Sequence, residues 1–311
     1  RVHGARSAVH GDTLVSIGEK KNMKYIPDKL RTRVMSAEDA AALIGENMCV
    51  GFSGFTLVGN PRVIPAAIAK LGKAKNMGVL TGASVDDSLD GALARAGLMK
   101  YRTPYQSNKS VRAGVNAGEI GYNDFHLSHL PVMLDHGVGP HVDFAIVECS
   151  GITDRGLIPP ASVGAADAFV RNADKVIVEL NETIPGALYG MHDIYTAGGS
   201  PIPITGAADR IGTPYIPCPM EKIAAVVLTN DSGSYPSFKD PDDVSLALSE
   251  NIVAFLKAEI VAGRQPKNLR PIQSGVGNVA NAVLAGLEKD FTGLSMYTEV
   301  MQDSAFELVK K

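Results

Sequence analysis

Two stretches late in the chain hold the residue types and spacings best suited to chemistry. In Pro271-Ile-Gln-Ser-Gly-Val-Gly-Asn278, the segment Gly275-Val276-Gly277-Asn278 reads as a tight glycine turn opening an apolar helix from Val279 to Leu287. Ser295-Met-Tyr-Thr-Glu-Val300 reads as a short strand with one carboxylate, Glu299, at its C-terminal end. Glycine lets backbone N–H groups approach a ligand closely, and a helix N-terminus adds partial positive charge. The turn therefore suits a phosphate or a developing oxyanion. Glu299 follows Gly275 by 24 positions, room for a helix and a return strand, which places the carboxylate near the turn. A carboxylate there can act as a nucleophile toward an activated acyl group.

The same residues fit a second chemistry. Gly275-x-Gly277-x-x-Ala280 matches the dinucleotide fingerprint, and Glu299 stands about 20 residues on, where a ribose-binding acid would lie. Against that reading, Leu269-Arg-Pro-Ile-Gln-Ser274 is polar and proline-broken rather than an apolar first strand. His126, His129, His136 and His141 cluster in one region, but their spacing matches no zinc pattern, and the surrounding His-Leu-Pro and His-Gly read as loop punctuation. No metal site is expected. Cys49, Cys149 and Cys218 form neither a disulfide framework nor a C-x-x-C knuckle, and Cys149, inside an apolar strand, reads as an inert buried thiol.

These residues need a scaffold. The 311-residue chain is 45 % hydrophobic and 20 % charged with a net charge of −3, a globular composition with no call on nucleic acid or an anionic membrane surface. No apolar run reaches the roughly 20 residues of a membrane span. Ser36 with Asp39 three positions on opens a helix. Strand Met48–Phe52, a glycine loop through Pro61, helix Val63–Leu71 and strand Met77–Thr81 make one βαβ unit. Strand Val142–Cys149, a loop Ser150–Ser162, helix Val163–Asn172 and strand Lys175–Leu180 make another, followed by strand Lys222–Leu228 and a long helix Val244–Ala262. Near-continuous apolar strands predict an open, mostly parallel α/β sheet with helices on both faces. The expected divisions are a tail over 1–24, an N-terminal domain over 25–234, and the beginning of a second, similar domain over 235–311.

Along much of the chain from Tyr25 the motifs resemble the acetyl-CoA hydrolase/transferase family, the class I coenzyme A transferases. They include Gly51-Phe-Ser-Gly-Phe-Thr56 with Gly59-x-Pro61, Thr81-Gly-Ala-Ser84, Asn116-Ala-Gly-Glu119, Lys175-Val-Ile-Val-Glu179, Met191-His-Asp-Ile194, Gln273–Val283 and Tyr297-Thr-Glu-Val-Met-Gln-Asp303. The resemblance implies a CoA-transferase-like fold and CoA transfer between an acyl-CoA and a small carboxylate of the acetate, succinate or propionate class. It implies that Glu299 is the nucleophile, passing through a glutamyl-CoA thioester. Gln273, Ser274, Gly275, Val276, Gly277 and Asn278 would line the CoA loop, and Ser84 and Ser107 the carboxylate pocket. The CoA thioester is then a substrate, and no permanently bound cofactor is expected. Acetyl-CoA hydrolysis by the same glutamate is the nearest alternative, and a nicotinamide oxidoreductase a distant one.

Two further expectations follow from the resemblance. Succinate-using relatives match Thr229-Asn230-Asp231 but carry an arginine where Ser234 aligns, so the bidentate partner for a second carboxylate is missing. Family members also continue beyond Lys311, so the sequence is expected to be a fragment lacking transferase activity by itself. A homodimer in a bacterial cytoplasm or a mitochondrial matrix completes the expectation; the arginines of the first eleven residues, with no acid among them, also allow a transit-peptide remnant.

Overall fold

The apolar strands predicted from the sequence assemble into one parallel sheet in the computed structural model, which describes residues 25–196, 201–206, 208–233 and 241–310. The expected tail, Ser234 and the start of the expected second domain lie outside the described residues. In chain order the first part comprises α1 (Ala37–Ala41), β1 (Cys49–Phe52), α2 (Val63–Leu71), β2 (Met77–Thr81), α3 (Ala92–Arg95), β3 (Met99–Thr103), α4 (Lys109–Asn116), β4 (Gly121–Tyr122) and α5 (His129–Asp135). It continues with β5 (Phe144–Cys149), β6 (Gly151–Thr153), β7 (Gly156–Ile158), α6 (Ala166–Asn172), β8 (Lys175–Asn181), β9 (Ile216–Pro217) and β10 (Ile223–Thr229). The seven-stranded sheet runs β10-β8-β5-β1-β2-β3-β4, and β6, β7 and β9 form a small antiparallel sheet. Because the chain proceeds outward from β1 in one direction and from β5 in the other, the switch point lies between those two neighbours.

Strand alternation divides the apolar residues between two cores. Val50, Phe52, Ile146 and Ile177 pack with residues of α1 to α4 on one face. Cys49, Ala145, Val147, Val176 and Val178 pack with residues of α5 and α6 on the other. Burial on both faces explains why these strands read as unbroken apolar runs. α1 starts as predicted, with the Ser36 hydroxyl accepting from Asp39 N at 3.1 Å.

Three local expectations are corrected. Residues 150–162 are not simply loop, because Gly151–Ile158 closes into the β6–β7 hairpin, the glycines at its ends allowing close strand approach. His129-Leu-Pro opens helix α5 rather than punctuating a loop, since proline is tolerated in a first helical turn. Ser295–Val300 is no strand: a single parallel bridge joins Met296 to Ile272, and the chain then leaves the pairing.

The contacts define a second compact unit, spanning Thr205–Asp209 and Gly233–Lys311. It contains α7 (Asp243–Val261), α8 (Asn278–Asp290) and α9 (Asp303–Lys310). Val253, Leu269, Leu284, Leu287, Phe291 and Ala305 form its core. No helix among the described residues is long and apolar enough to cross a membrane.

Candidate functional site

Within the second unit, the glycine turn and the Glu299 segment are clasped together. Ile272 N donates to Ser295 O at 2.9 Å, and Tyr297 N donates to Ile272 O at 3.0 Å. One residue pair further on, the Thr298 hydroxyl accepts from Ser274 N at 3.2 Å and lies 2.8 Å from the carbonyl of Val300. The buried Gln302 carboxamide completes the clasp. It accepts from Gly277 N at 3.2 Å and donates to the carbonyl of Gly275. In the sequence Gln302 stands only as part of the Tyr297–Asp303 motif, three positions after Glu299, with no role assigned to it.

The turn is open where a ligand would approach. A Cβ on Gly275 or Gly277 would meet nothing within 4 Å, and Gly277, at φ +143°, holds backbone that side-chain-bearing residues rarely adopt. Gly277 caps α8 without a side-chain bond, leaving first-turn amides to face outward. The amides of Gly275 and Val276 have no partner among the described residues. Glu299 is exposed and makes no hydrogen bond or ion pair among the described residues. The structure thus brings the Glu299 segment and Gln273–Asn278 onto adjoining stretches, tied through Thr298 and Gln302. The dinucleotide reading finds no first strand here, since Ile272 contributes only the one bridge.

In the first unit the sheet carries a buried polar network at its switch point. Glu148 on β5 and Glu179 on β8 are register partners. Glu179 accepts from Arg62 N at 2.8 Å, Ile64 N at 3.1 Å and, less closely, Val63 N. This carboxylate therefore occupies the N-terminus of α2. Burial raises its pKa to about 7, against those three backbone bonds. Burial likewise raises the Glu148 carboxyl, opposed by Asn181 and Arg62. Arg62 pairs with Asp86 at 3.2 Å and approaches Glu148 at 3.7 Å.

The two serines expected to line a carboxylate pocket sit differently. Ser84 is fully buried at the end of β2, bridged to Thr56, and its carbonyl accepts from Arg102 at 3.1 Å. Ser107 is exposed on the loop before α4. No hydrogen bond joins the two among the described residues. Arg102 itself, wholly buried, binds Asp90 at 2.6 Å, the Thr81 hydroxyl at 2.6 Å and the carbonyl of Pro104.

The histidines do not converge as a group. His126 and His129 meet edge to face at 5.2 Å, whereas His141 pairs with Asp174 at 2.9 Å. His141, Asp143 and Asp174 bring ligand atoms within 4.8 Å of one another, but Asp143 is already engaged by Cys49 N at 2.7 Å. All three cysteines are buried, and burial pushes the thiols of Cys49 and Cys218 up to about 11. A concavity of about 660 Å³ lies between α3 and α4 beside Met99, at the start of β3 and so away from the strand ends that usually bind ligands.

An open parallel sheet with a buried polar network beside its switch point, and a second unit with a glycine turn clasped to the segment of an exposed glutamate, define an α/β protein. Comparison with known proteins makes this specific. Residues 19–228 match the model of the acetyl-CoA hydrolase/transferase N-terminal domain, and the chain belongs to that family. It is 46 % identical over 292 residues to the succinyl-CoA:acetate CoA-transferase of Clostridium kluyveri, covering 91 % of this chain and 54 % of that protein. It is 35 % identical over 309 residues to the acetyl-CoA hydrolase of Yarrowia lipolytica, covering 92 % of this chain and 58 % of that protein. The chain thus spans about half the length of these relatives. RipA from Yersinia pestis shares the fold at a TM-score of 0.64 and 17 % identity, over 90 % of this chain and 59 % of RipA.

Proposed function

We propose that this chain contributes the nucleophile and part of the CoA site of a CoA-transferase acting between an acyl-CoA and a small carboxylate. The observation that carries the reading is the clasp of Gln302 and Thr298, which holds exposed Glu299 beside the open Gly275 turn. In this reading the Glu299 carboxylate attacks the thioester carbonyl, expelling CoA thiolate and leaving a mixed anhydride. The thiolate attacks the glutamyl carbonyl, releasing the first carboxylate and leaving CoA on Glu299. An acceptor carboxylate reverses these steps. Each passes through a tetrahedral oxyanion, which unpartnered N–H groups at the turn are suited to stabilise. The relatives' names support the class, though not the intermediate.

Hydrolysis is the second reading, favoured by the acetyl-CoA hydrolases among the relatives and by the exposure of Glu299, which water can reach. One experiment addresses both. Protein incubated with acyl-CoA and no acceptor is digested, and the peptide holding Tyr297–Asp303 is weighed. A CoA adduct on Glu299 that disappears on adding acetate supports transfer. An adduct that decays at the same rate with and without acetate supports hydrolysis, and no adduct refutes the glutamate mechanism.

A further inference from the structure

Glu148 and Glu179 face each other across β5 and β8 on the same side of the sheet, a like-charge arrangement that costs stability wherever it occurs. Both are nearly inaccessible to water, at 2 % and 1 % exposure. Glu179 has an evident structural duty at α2. Glu148 does not, and one of its carboxylate oxygens, Oε2, has no hydrogen-bond partner among the described residues. Natural sheets seldom retain such a group without a use.

The connections of Glu148 run to two loops. Its carboxylate lies 3.7 Å from Arg62 Nη1, and Arg62 Nη2 donates to Leu57 O at 3.2 Å, which ties the side chain to loop 53–60. Its backbone N also donates to the Ser53 hydroxyl at 2.9 Å, which donates to Gly59 O at 2.7 Å. The same loop holds Ser84, because Thr56 N donates to Ala83 O and Val85 N donates to Thr56 O, each at 3.0 Å. On the other side, Asn181 Nδ2 donates to Glu148 Oε1 at 2.8 Å and to Asp231 O at 2.7 Å. One amide group thus bridges the Glu148 carboxyl to segment 229–231. Both loops leave the carboxyl ends of parallel strands, loop 53–60 at the switch point and segment 229–231 at edge strand β10, and that end of an open α/β sheet is the usual location of ligands.

We propose that Glu148 and Asn181 are a positioning pair that holds loops 53–60 and 229–231 in register and so sets the protein's selectivity for the carboxylate co-substrate. The selectivity half of this inference rests on the CoA-transfer reading, and the coupling of the loops does not. Burial, with Asp231 and Asp86 nearby, disfavours a charge on Glu148, so a neutral amide should replace it well. Only the Oε1 acceptor is needed to receive Asn181.

The test compares Asn181→Ala, Glu148→Ala and Glu148→Gln in the intact protein. Amide hydrogen exchange reads the coupling. Both alanine variants should accelerate exchange in loop 53–60 and in segment 229–231 together, and Glu148→Gln should restore protection in both. Acceleration confined to the loop nearest the substitution overturns the proposal. Steady-state kinetics with acetate and succinate read the selectivity. The alanine variants should shift the ratio of the two KM values by about tenfold, the scale of one lost hydrogen bond, with kcat little changed and Glu148→Gln near wild type. Coupled exchange with an unshifted KM ratio overturns the selectivity role. A wild-type protein that moves no CoA refutes the CoA-transfer reading instead, and the exchange result still decides the coupling.

Discussion

Glu148, Glu179 and Asp90 in the first unit and Glu299 in the second are held in opposite ways. In the first, Glu148, Glu179 and Asp90 are buried, each bonded to amides or guanidinium, and burial raises all three pKa values. In the second, Glu299 stands exposed and without a partner among the described residues, on a loop whose backbone is tied by Thr298 and Gln302. The difference separates two uses of the same functional group. A buried carboxylate fixes backbone, because leaving its partners unsatisfied is costly. An exposed one on a braced loop contributes little to the fold and remains free to react. Chemistry should therefore be lost without stability in the second unit, and stability should be lost first in the first.

The largest expected effect tests the reactive half. Glu299→Ala should reduce CoA transfer on the order of 10⁴-fold or more, the scale of losing a covalent nucleophile. Its thermal midpoint should stay within experimental error of wild type, since no partner is orphaned. Substantial unfolding of this variant, or retention of full turnover, would remove the distinction between the two carboxylate types.

The structural half is tested at Arg102. Replacing it with leucine leaves Asp90 buried and uncompensated, which should cost about 3–5 kcal/mol in chemical denaturation. Adding Asp90→Leu should recover part of that loss, because an apolar pair avoids the desolvation of both ions. A double variant no more stable than Arg102→Leu alone would show that the other Arg102 bonds, to Thr81, Ser84 and Pro104, dominate.

How much of this was legible in the sequence depended on the type of signal. Strand Met77–Thr81 and helix Val63–Leu71 stand where the apolar pattern puts them, because two-sided burial writes a continuous signature. The closeness of the glycine turn to the Glu299 segment was legible because their spacing implies a crossover. Met99–Thr103 was missed: Lys100 and Arg102 break its apolar run, and nothing local reveals that Arg102 is buried. Ser295–Val300 was over-read because Tyr, Thr and Val favour strands, whereas extended structure needs a partner beyond Ile272. The Glu148–Asn181 pair was invisible for a related reason. Polar residues at strand ends look solvated until the strand register is known, and only the pairing of β5 with β8 brings them together.

A smaller effect sharpens the contrast through pH. The folded pKa of Glu179, about 7, lies above the model-peptide value near 4.5. Between those values the folded chain binds more protons at this site than the unfolded one, so its contribution to stability is full below about pH 4.5 and is lost as pH rises toward 7. One proton limits the slope to about 1.4 kcal/mol per pH unit. Glu179→Gln will be less stable overall, having lost an acceptor for the α2 amides, but this component of the slope should vanish from its stability curve. Parallel curves for wild type and variant between pH 4.5 and 7 would mean that Glu179 is already ionised at the lower limit.

The smallest effect compares two glycines that a sequence reader would treat alike. A Cβ on Gly51, in β1, would sit 2.5 Å from the ring of Phe169. Phe169, on α6, is wholly buried in the core, so it cannot move away, and Gly51→Ala should cost about 1–3 kcal/mol through overpacking. Gly277 meets no such obstacle. Its constraint is backbone: at φ +143° a branched side chain is strained, and the exposed turn can relieve that strain by shifting. Gly277→Val should therefore lose less than about 1 kcal/mol of stability, as for other surface changes. It should weaken CoA binding or acyl transfer, because the shifted turn no longer presents its N–H groups beside Glu299. Denaturation curves and CoA affinity, measured for both variants, decide the matter. If Gly277→Val unfolds while its native fraction binds CoA normally, the turn serves the fold, and the separation of reactive from structural groups does not extend to it.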